Sequence, residues 1–342
     1  MSTMTTLPRK TVAPDLPAPF PWFGGKSRVA PAVWERFGVV RNYVEPFFGS
    51  GAVLLGRPRP FEGPETVNDA DGMLANFWRA VRADPQSVAH WADWPVNEND
   101  LHARHAWLVG RKDSIQARLE GDPDWFDARV AGWWCWGVCC WIGAGWCTGK
   151  GPWHVVEVDG ERMLVKDGSD AGQGVNRKRP DLNGTGRGVN RRLPHLGDMG
   201  RGRLDDWLGA LANRLSRVRV CCGDWSRVCG TSVVNGVHTK HGRAAAVFLD
   251  PPYSRHAGRA NALYTHEDLD VATAVRAWAI EHGDDPRLRI ALCGYEGEHD
   301  MPDSWECVAW KSKGGYASQS DGPGRSNATR ERIWFSPHCV RP

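Results

Sequence analysis

The run AAAVFLDPPYS closes an apolar, β-branched stretch on a carboxylate, Asp250, followed by Pro251, Pro252 and Tyr253. A buried strand that ends in an acid delivers that acid to the edge of a sheet, where a ligand crevice opens. The two prolines fix φ and remove two N–H donors, leaving carbonyl oxygens to accept beside Asp250. Tyr253 adds a flat ring next to those acceptors. The set suits a planar substrate bearing an NH2 group, whose two hydrogens meet acceptors while its face stacks on the ring. Such an amine is a poor nucleophile because its lone pair is delocalised into the ring. Two acceptors draw the nitrogen toward tetrahedral geometry and stabilise the positive charge that develops as it attacks a methyl group. The plainer alternative is a strand-to-loop turn whose acid caps its own backbone.

A second constellation lies two hundred residues earlier. In VEPFFGSG a strand runs into Gly49-Ser50-Gly51, where the missing Cβ atoms allow a sharp turn and a close ligand approach. Asp69 of TVNDAD follows Gly51 by eighteen residues. A carboxylate about that far past a glycine loop can accept both hydroxyls of a ribose. The loop has neither the full G-x-G-x-x-G nor a G-K-[ST], so a nucleoside without phosphates fits better than a dinucleotide or a triphosphate. Taken alone, G-x-G is equally an ordinary tight turn.

The elements that must hold these groups are legible as alternating strands and helices. SRVAPAVWERFG predicts a short helix capped by Ser27, with Val29, Val33 and Phe37 on one face and Gly38 as its stop. DGMLANFWRAVRADP places Leu74, Phe77, Trp78 and Val81 on one helical face and ends before Pro85. Leu204, Trp207, Leu208, Leu211 and Leu215 make another face; VRVCCGD, AAAVFLD and RLRIALCGY read as buried strands. LYTHEDLDVATAVRAWAIEHG reads as a helix capped by Thr265 with Asp268. The pattern predicts an α/β fold: a mostly parallel sheet with helices on both faces.

At 342 residues the chain has room for a sizeable core, and 41% apolar and 24% charged residues describe a soluble globular protein. A net charge of +3 leaves any polyanion contact to local clustering. Residues 1–20 read as a loose, proline-rich leader and carry no signal-peptide pattern, which points to the cytoplasm. The uncharged eighteen-residue stretch from Val130 to Cys147 has the length of a membrane span. Its tryptophans are scattered instead of belted and it contains four glycines, so a buried helix is expected and no membrane contact. Those tryptophans (Trp133, Trp134, Trp136, Trp141 and Trp146) read as core in preference to a base-stacking platform. The ten cysteines show no paired spacing, and Cys221, Cys222, Cys229, His238 and His241 are wrongly spaced for zinc, so no metal is expected.

Residues 85–203 differ in texture. GVNR occurs at 174 and again at 188, and Arg177, Lys178, Arg179, Arg187, Arg191, Arg192, Arg201 and Arg203 stand near only two acids, Asp181 and Asp198. Interleaved glycines and asparagines suit a loop that holds phosphates and reaches groove edges; a solvated loop is the bland alternative.

PFPWFGGKSR, YVEPFFGSGAV, TVNDADGMLANFWRAV, CCGDW, FLDPPYS and GRSNATRERIWFSP occur in the order found in Dam-like N6-adenine DNA methyltransferases. The chain resembles that family's alpha group over roughly 20–84 and 204–337, with the glycine loop preceding DPPY. The resemblance implies a Rossmann-like, S-adenosylmethionine-dependent methyltransferase domain formed by 21–84 and 204–342. A DNA target-recognition region would be inserted at 85–203. It implies that Trp22 and Lys26 line the cofactor pocket, with Lys26 near the catalytic carboxylate. Glu45, Phe47, Gly49 and Gly51 would floor the methionine part, Asp69 would hold the ribose, and Asp224 would contact the cofactor's adenine amine. Asp250, Pro251, Pro252 and Tyr253 would hold a flipped adenine from double-stranded DNA, with 254–266 as a flap, in an enzyme monomeric in solution. Glu45 stands where many relatives carry Asp, which loosens its assignment. DPPY in place of SPPY favours adenine N6 over cytosine N4. Two other classes share these motifs: a methyltransferase acting on RNA or a protein amide, and an inactive DNA-binding protein on the same scaffold.

Overall fold

The computed structural model describes residues 16–22, 25–141, 146–147, 153–158, 160–166, 201–234, 244–253, 269–310 and 330–342. Its strands are β1 (Asn42–Glu45), β2 (Glu65–Asp69), β3 (Trp153–Val158), β4 (Glu161–Lys166), β5 (Val218–Cys222), β6 (Ala245–Leu249), β7 (Leu288–Tyr295), β8 (Glu306–Ala309) and β9 (Glu331–Phe335). Seven of them form one sheet in the order β5-β2-β1-β6-β7-β9-β8. Neighbours from β5 to β7 pair in parallel, while β9 runs antiparallel to both β7 and β8. β3 and β4 form a separate antiparallel ribbon. From β1 the chain steps outward to β2 and β5, then returns to β6 on the other side of β1 and steps outward to β7. That reversal leaves a crevice at the carboxyl ends of β1 and β6, the place where open α/β sheets bind ligands.

Alternation along the central strands covers both faces. In β6, Ala246 and Phe248 join one core and Ala245, Val247 and Leu249 the other. A strand buried on both sides has to be apolar throughout, as β6 is. β5, expected to be buried, is mostly half-exposed, because it is the sheet's edge and lacks a neighbour on one side. The architecture is the expected Rossmann-like α/β fold.

Helices α1 (Ala30–Phe37) and α2 (Ala52–Leu55) flank β1 in sequence, and α3 (Gly72–Ala83) follows β2. Val33 and Phe37 of α1 and Val29 just before it are buried as expected, and Gly38 ends the helix at φ +54°. Ser27 does not cap it: Ser27 sits in a 3-10 turn, Lys26–Arg28, and the helix starts after Val29 with Pro31 in its first turn. In α3 the expected face is buried, and Asp71 caps the start by accepting from the Met73 and Leu74 amides.

The chain then adds α4 (Pro85–Ala92), α5 (Glu98–Val109), α6 (Lys112–Gly121) and α7 (Ala128–Cys140), followed later by α8 (Arg201–Leu215). α4 and α7 pack against each other and against α8 and α3 respectively, and their apolar residues share one core with α1 and the sheet. The tryptophan-rich stretch is therefore core. Trp134 and Trp136 are buried, and the indole N–H groups of Trp136 and Trp146 donate to the carbonyls of Trp94 and Trp134. No helix among the described residues is long and apolar enough to cross a membrane. Cys135, Cys139, Cys140 and Cys147 are buried free thiols. The opposite face is covered by α9 (Ser226–Cys229), α10 (Thr231–Val234) and α11 (Leu269–His282); Thr265, its expected cap, lies outside the described residues.

One boundary moves. Residues 16–20, grouped with the leader by composition, are packed: Ala18 is buried, and Phe20 has no exposed surface, meeting Trp134 and Phe77 edge-on at 5.0 and 5.2 Å. An aromatic ring with partners on several sides overrides the flexibility suggested by its prolines.

Candidate active site

Strand order alone lines up most of the candidate groups. Reading β5-β2-β1-β6 along the carboxyl edge gives Asp224, Asp69, Glu45 with the glycine loop, and Asp250. Each acid sits at or just past a strand end, so parallel pairing brings residues up to two hundred positions apart to one crevice.

At the β6 end, Asp250 forms an ion pair with Lys26, Oδ2 to Nζ at 2.9 Å. Lys26 is 5% exposed and Asp250 18%, so the pair is shielded yet open on the acid's side. Lys26 also donates to the Tyr253 hydroxyl at 3.2 Å. That hydroxyl lies 3.3 Å from Asp250 Oδ1 and 2.9 Å from Glu331 Oε2. The Tyr253 ring meets Tyr295 edge-on at 4.6 Å, and the Lys26 ammonium lies 5.5 Å from the centroids of both Tyr253 and Trp310. Burial, reinforced by the charges of Glu331 and Asp250, pushes the Tyr253 hydroxyl well above its usual range, so it stays protonated. Pro251 is buried and Pro252 half-buried. Both lack an N–H, so the two prolines offer carbonyl acceptors here and no backbone donor.

The glycine loop is held from below. Gly49 and Gly51 have φ +48° and +71°, a region that costs other residues dearly. A Cβ on Gly49 would meet the Trp22 indole nitrogen at 2.5 Å, so Trp22 lies directly on the loop. The Gly49 carbonyl accepts from Trp78 and its amide donates to Asp69 Oδ2 at 3.0 Å. Asp69 Oδ1 accepts from the Asp71 amide at 3.0 Å. The Ala70 amide adds a third backbone hydrogen bond; with two lone pairs on each carboxylate oxygen, one acceptor position is left. Burial, opposed by those amides, raises the Asp69 carboxyl to about 7.

Glu45 is deeply buried and accepts from the Tyr43 hydroxyl at 2.8 Å; burial pushes its carboxyl well above the usual range. Phe47 stacks on Trp225 at 6.3 Å, next to Asp224. Asp224 is exposed, and its Oδ1 accepts from the Ser226 amide and hydroxyl. Lys26, Asp250 and Tyr253 thus form one contact cluster, and Trp22, Gly49 and Asp69 a second. Arg177, Lys178, Arg179, Arg187, Arg191 and Arg192 lie outside the described residues, as does the stretch 254–266 expected to form a flap. Arg201 begins α8.

Three residues escaped the sequence. Glu331, Tyr295 and Trp310 come from β9, the end of β7 and the segment after β8. Only Glu331 left a signal, an acid on the inward face of a strand whose Ile333 and Phe335 are buried. Asn68 also matters structurally, since its amide donates to the Pro46 and Gly223 carbonyls and ties both neighbouring loops to β2.

Residues 22–104 match the model of the D12 class N6 adenine-specific DNA methyltransferases. Two curated relatives, each a DNA adenine methylase from Vibrio cholerae serotype O1 (strains O395 and El Tor Inaba N16961), are 32% identical over 97 residues. The aligned part is 28% of this chain and 33% of each relative. The chain therefore spans about a third of the length of the relatives it matches, and the resemblance read from its motifs names the same family.

Proposed function

With residues 22–104 similar to D12 class N6 adenine-specific DNA methyltransferases, we propose that this chain transfers a methyl group from S-adenosylmethionine to N6 of an adenine flipped out of duplex DNA. The observation that carries the proposal is the Asp250–Lys26–Tyr253 cluster beside the glycine loop at the sheet's switch point. It lies outside the matched stretch except for Lys26, so it supports the activity independently.

The residues present fit the cofactor. Asp69 keeps acceptor capacity for a ribose hydroxyl, the left-handed glycines expose backbone, and Phe47, Trp225 and Asp224 offer apolar faces beside an acceptor. Trp22 and Glu45 would bound the methionine end. When bound, S-adenosylmethionine supplies an electrophilic methyl group on a sulfonium.

The chain's own work is to orient the nucleophile. Asp250 Oδ1 and the Pro251 carbonyl accept from the N6 amine, while Tyr253, its hydroxyl anchored, presents a fixed ring to the base. Lys26 holds Asp250 in place through their ion pair, and a preorganised acceptor of this kind stabilises the positive nitrogen of the transition state. Extruding the base costs a few kcal/mol of stacking and pairing, which stacking on Tyr253 offsets in part. The arginines of 177–201, within the proposed recognition region 85–203, would hold phosphates.

The test offers methyl-labelled S-adenosylmethionine to unmodified duplex DNA, RNA and protein together. Label recovered as N6-methyladenine in the duplex is the expected result; label in RNA or protein alone selects the rival acceptors, and no label anywhere selects an inactive scaffold. Charge reversal of Arg191 and Arg192 should weaken DNA binding and flatten its salt dependence, read by titration at several salt concentrations.

A further inference from the structure

The Tyr253 hydroxyl has one proton and, among the described residues, three polar neighbours. Lys26 has donors only, so it donates to the hydroxyl oxygen at 3.2 Å as well as to Asp250 Oδ2 at 2.9 Å. The hydroxyl proton must then go to one of two carboxylates. Glu331 Oε2 is at 2.9 Å and Asp250 Oδ1 at 3.3 Å, and O–H···O bonds favour distances of about 2.7–2.8 Å. The proton belongs to the Glu331 side.

We propose that Glu331 is a positioning residue: by accepting the Tyr253 hydroxyl proton it keeps that proton off Asp250, so that Oδ1 remains open to the substrate amine. The role rests on the amine-clamp function proposed above. Without it, the tyrosine would satisfy Asp250 itself and compete with the substrate for the same lone pairs. Lys26 already occupies the other oxygen, so Oδ1 is the oxygen that matters.

Two features support the assignment. Glu331 is 3% exposed, and a carboxylate that deep needs compensating donors. The Tyr253 hydroxyl supplies one; burial raises the Glu331 carboxyl above its usual range, opposed by the Lys26 charge and by this hydrogen bond. The strand also delivers it rigidly: β9 is paired on both sides, to β7 and β8, and Glu331 lies opposite Tyr295, whose ring packs on Tyr253. Glu331 touches neither reacting atom in this scheme and acts only through Tyr253.

The experiment is a double-mutant cycle on the full chain with duplex DNA and S-adenosylmethionine. It measures kcat and the cofactor Kd for Glu331→Ala, Glu331→Gln and Tyr253→Phe, and for each Glu331 variant combined with Tyr253→Phe. Glu331→Ala should lower kcat on the order of tenfold, the worth of one misplaced hydrogen bond, with the cofactor Kd at the wild-type value as proof of folding. Glu331→Gln retains an accepting oxygen and should recover most of the rate. With Tyr253→Phe there is no hydroxyl proton to place, so Glu331→Ala should cost nothing further. Additive effects of the two substitutions, or Glu331→Gln as slow as Glu331→Ala, overturn the positioning role in an enzyme that otherwise turns over. A wild-type chain that methylates no adenine overturns the parent function and this role together.

Discussion

The sheet carries a buried ion network at each end, and the two are built on opposite principles. At the amino ends of the strands, Glu65 accepts from Arg57 at 2.8 Å and from Arg214 at 2.6 and 2.8 Å, with all three side chains 2–3% exposed. The spare guanidinium hydrogens donate to the carbonyls of Val40 and Leu54. Both oxygens of Glu65 are covered by arginine. At the carboxyl ends, Asp250 has, among the described residues, a single cation on one oxygen and remains 18% exposed. A closed network clamps Arg57 and α8 onto β2, whereas the open one, in the function proposed, would leave an acceptor for a donor that arrives later. Burial alone does not separate a structural ion pair from a working one; leftover acceptor capacity does.

The largest effect should come from opening the closed network. Glu65→Ala leaves two arginines buried without their acid and should cost about 3–5 kcal/mol of stability, read as a lowered Tm, while the rate per folded molecule stays near wild type. Lys26→Ala should do the reverse, slowing methyl transfer on the order of tenfold to a hundredfold by removing a charge-assisted bond, with a smaller change in Tm. Equal losses of stability for the two would erase the distinction.

Asp69 sharpens the contrast through pH. Its carboxyl is raised by burial to about 7, and ribose hydroxyls are best accepted by the ionised form. Cofactor affinity measured by calorimetry should therefore rise between pH 6 and 8, and Asp69→Asn should flatten that rise. Stability runs the other way. A folded-state value above the usual carboxylate range contributes stability at low pH that fades as pH climbs through about 7. The smallest effect belongs to Gly49→Ala. Left-handed φ and the Trp22 contact should cost about 1–2 kcal/mol, read as weaker cofactor binding with kcat retained at saturation.

Local pattern carried much of this into the sequence. β6 and Asp250 were readable because a strand buried on both faces is uniformly apolar and the following prolines mark its end. Asp69 was readable because a ribose-binding acid recurs at a set distance from a glycine loop. Glu331 and Trp310 were not, since their relation to Tyr253 exists only once β8 and β9 fold back antiparallel beside β7, a pairing no local spacing encodes. Helices α4 to α6 and the β3–β4 ribbon were missed for another reason: residues 85–203 were read as one block by overall texture and not element by element. Ser27 misled, because a 3-10 turn shifted the start of α1 beyond it.

The account turns on Asp250 as the open acceptor. Asp250→Ala should bind S-adenosylmethionine with the Kd of the wild type, because the proposed cofactor contacts lie at Trp22 and around the carboxyl ends of β1, β2 and β5, and should transfer label to duplex DNA at least about a hundredfold more slowly. A variant that binds cofactor normally and still makes N6-methyladenine at a near-normal rate would contradict it.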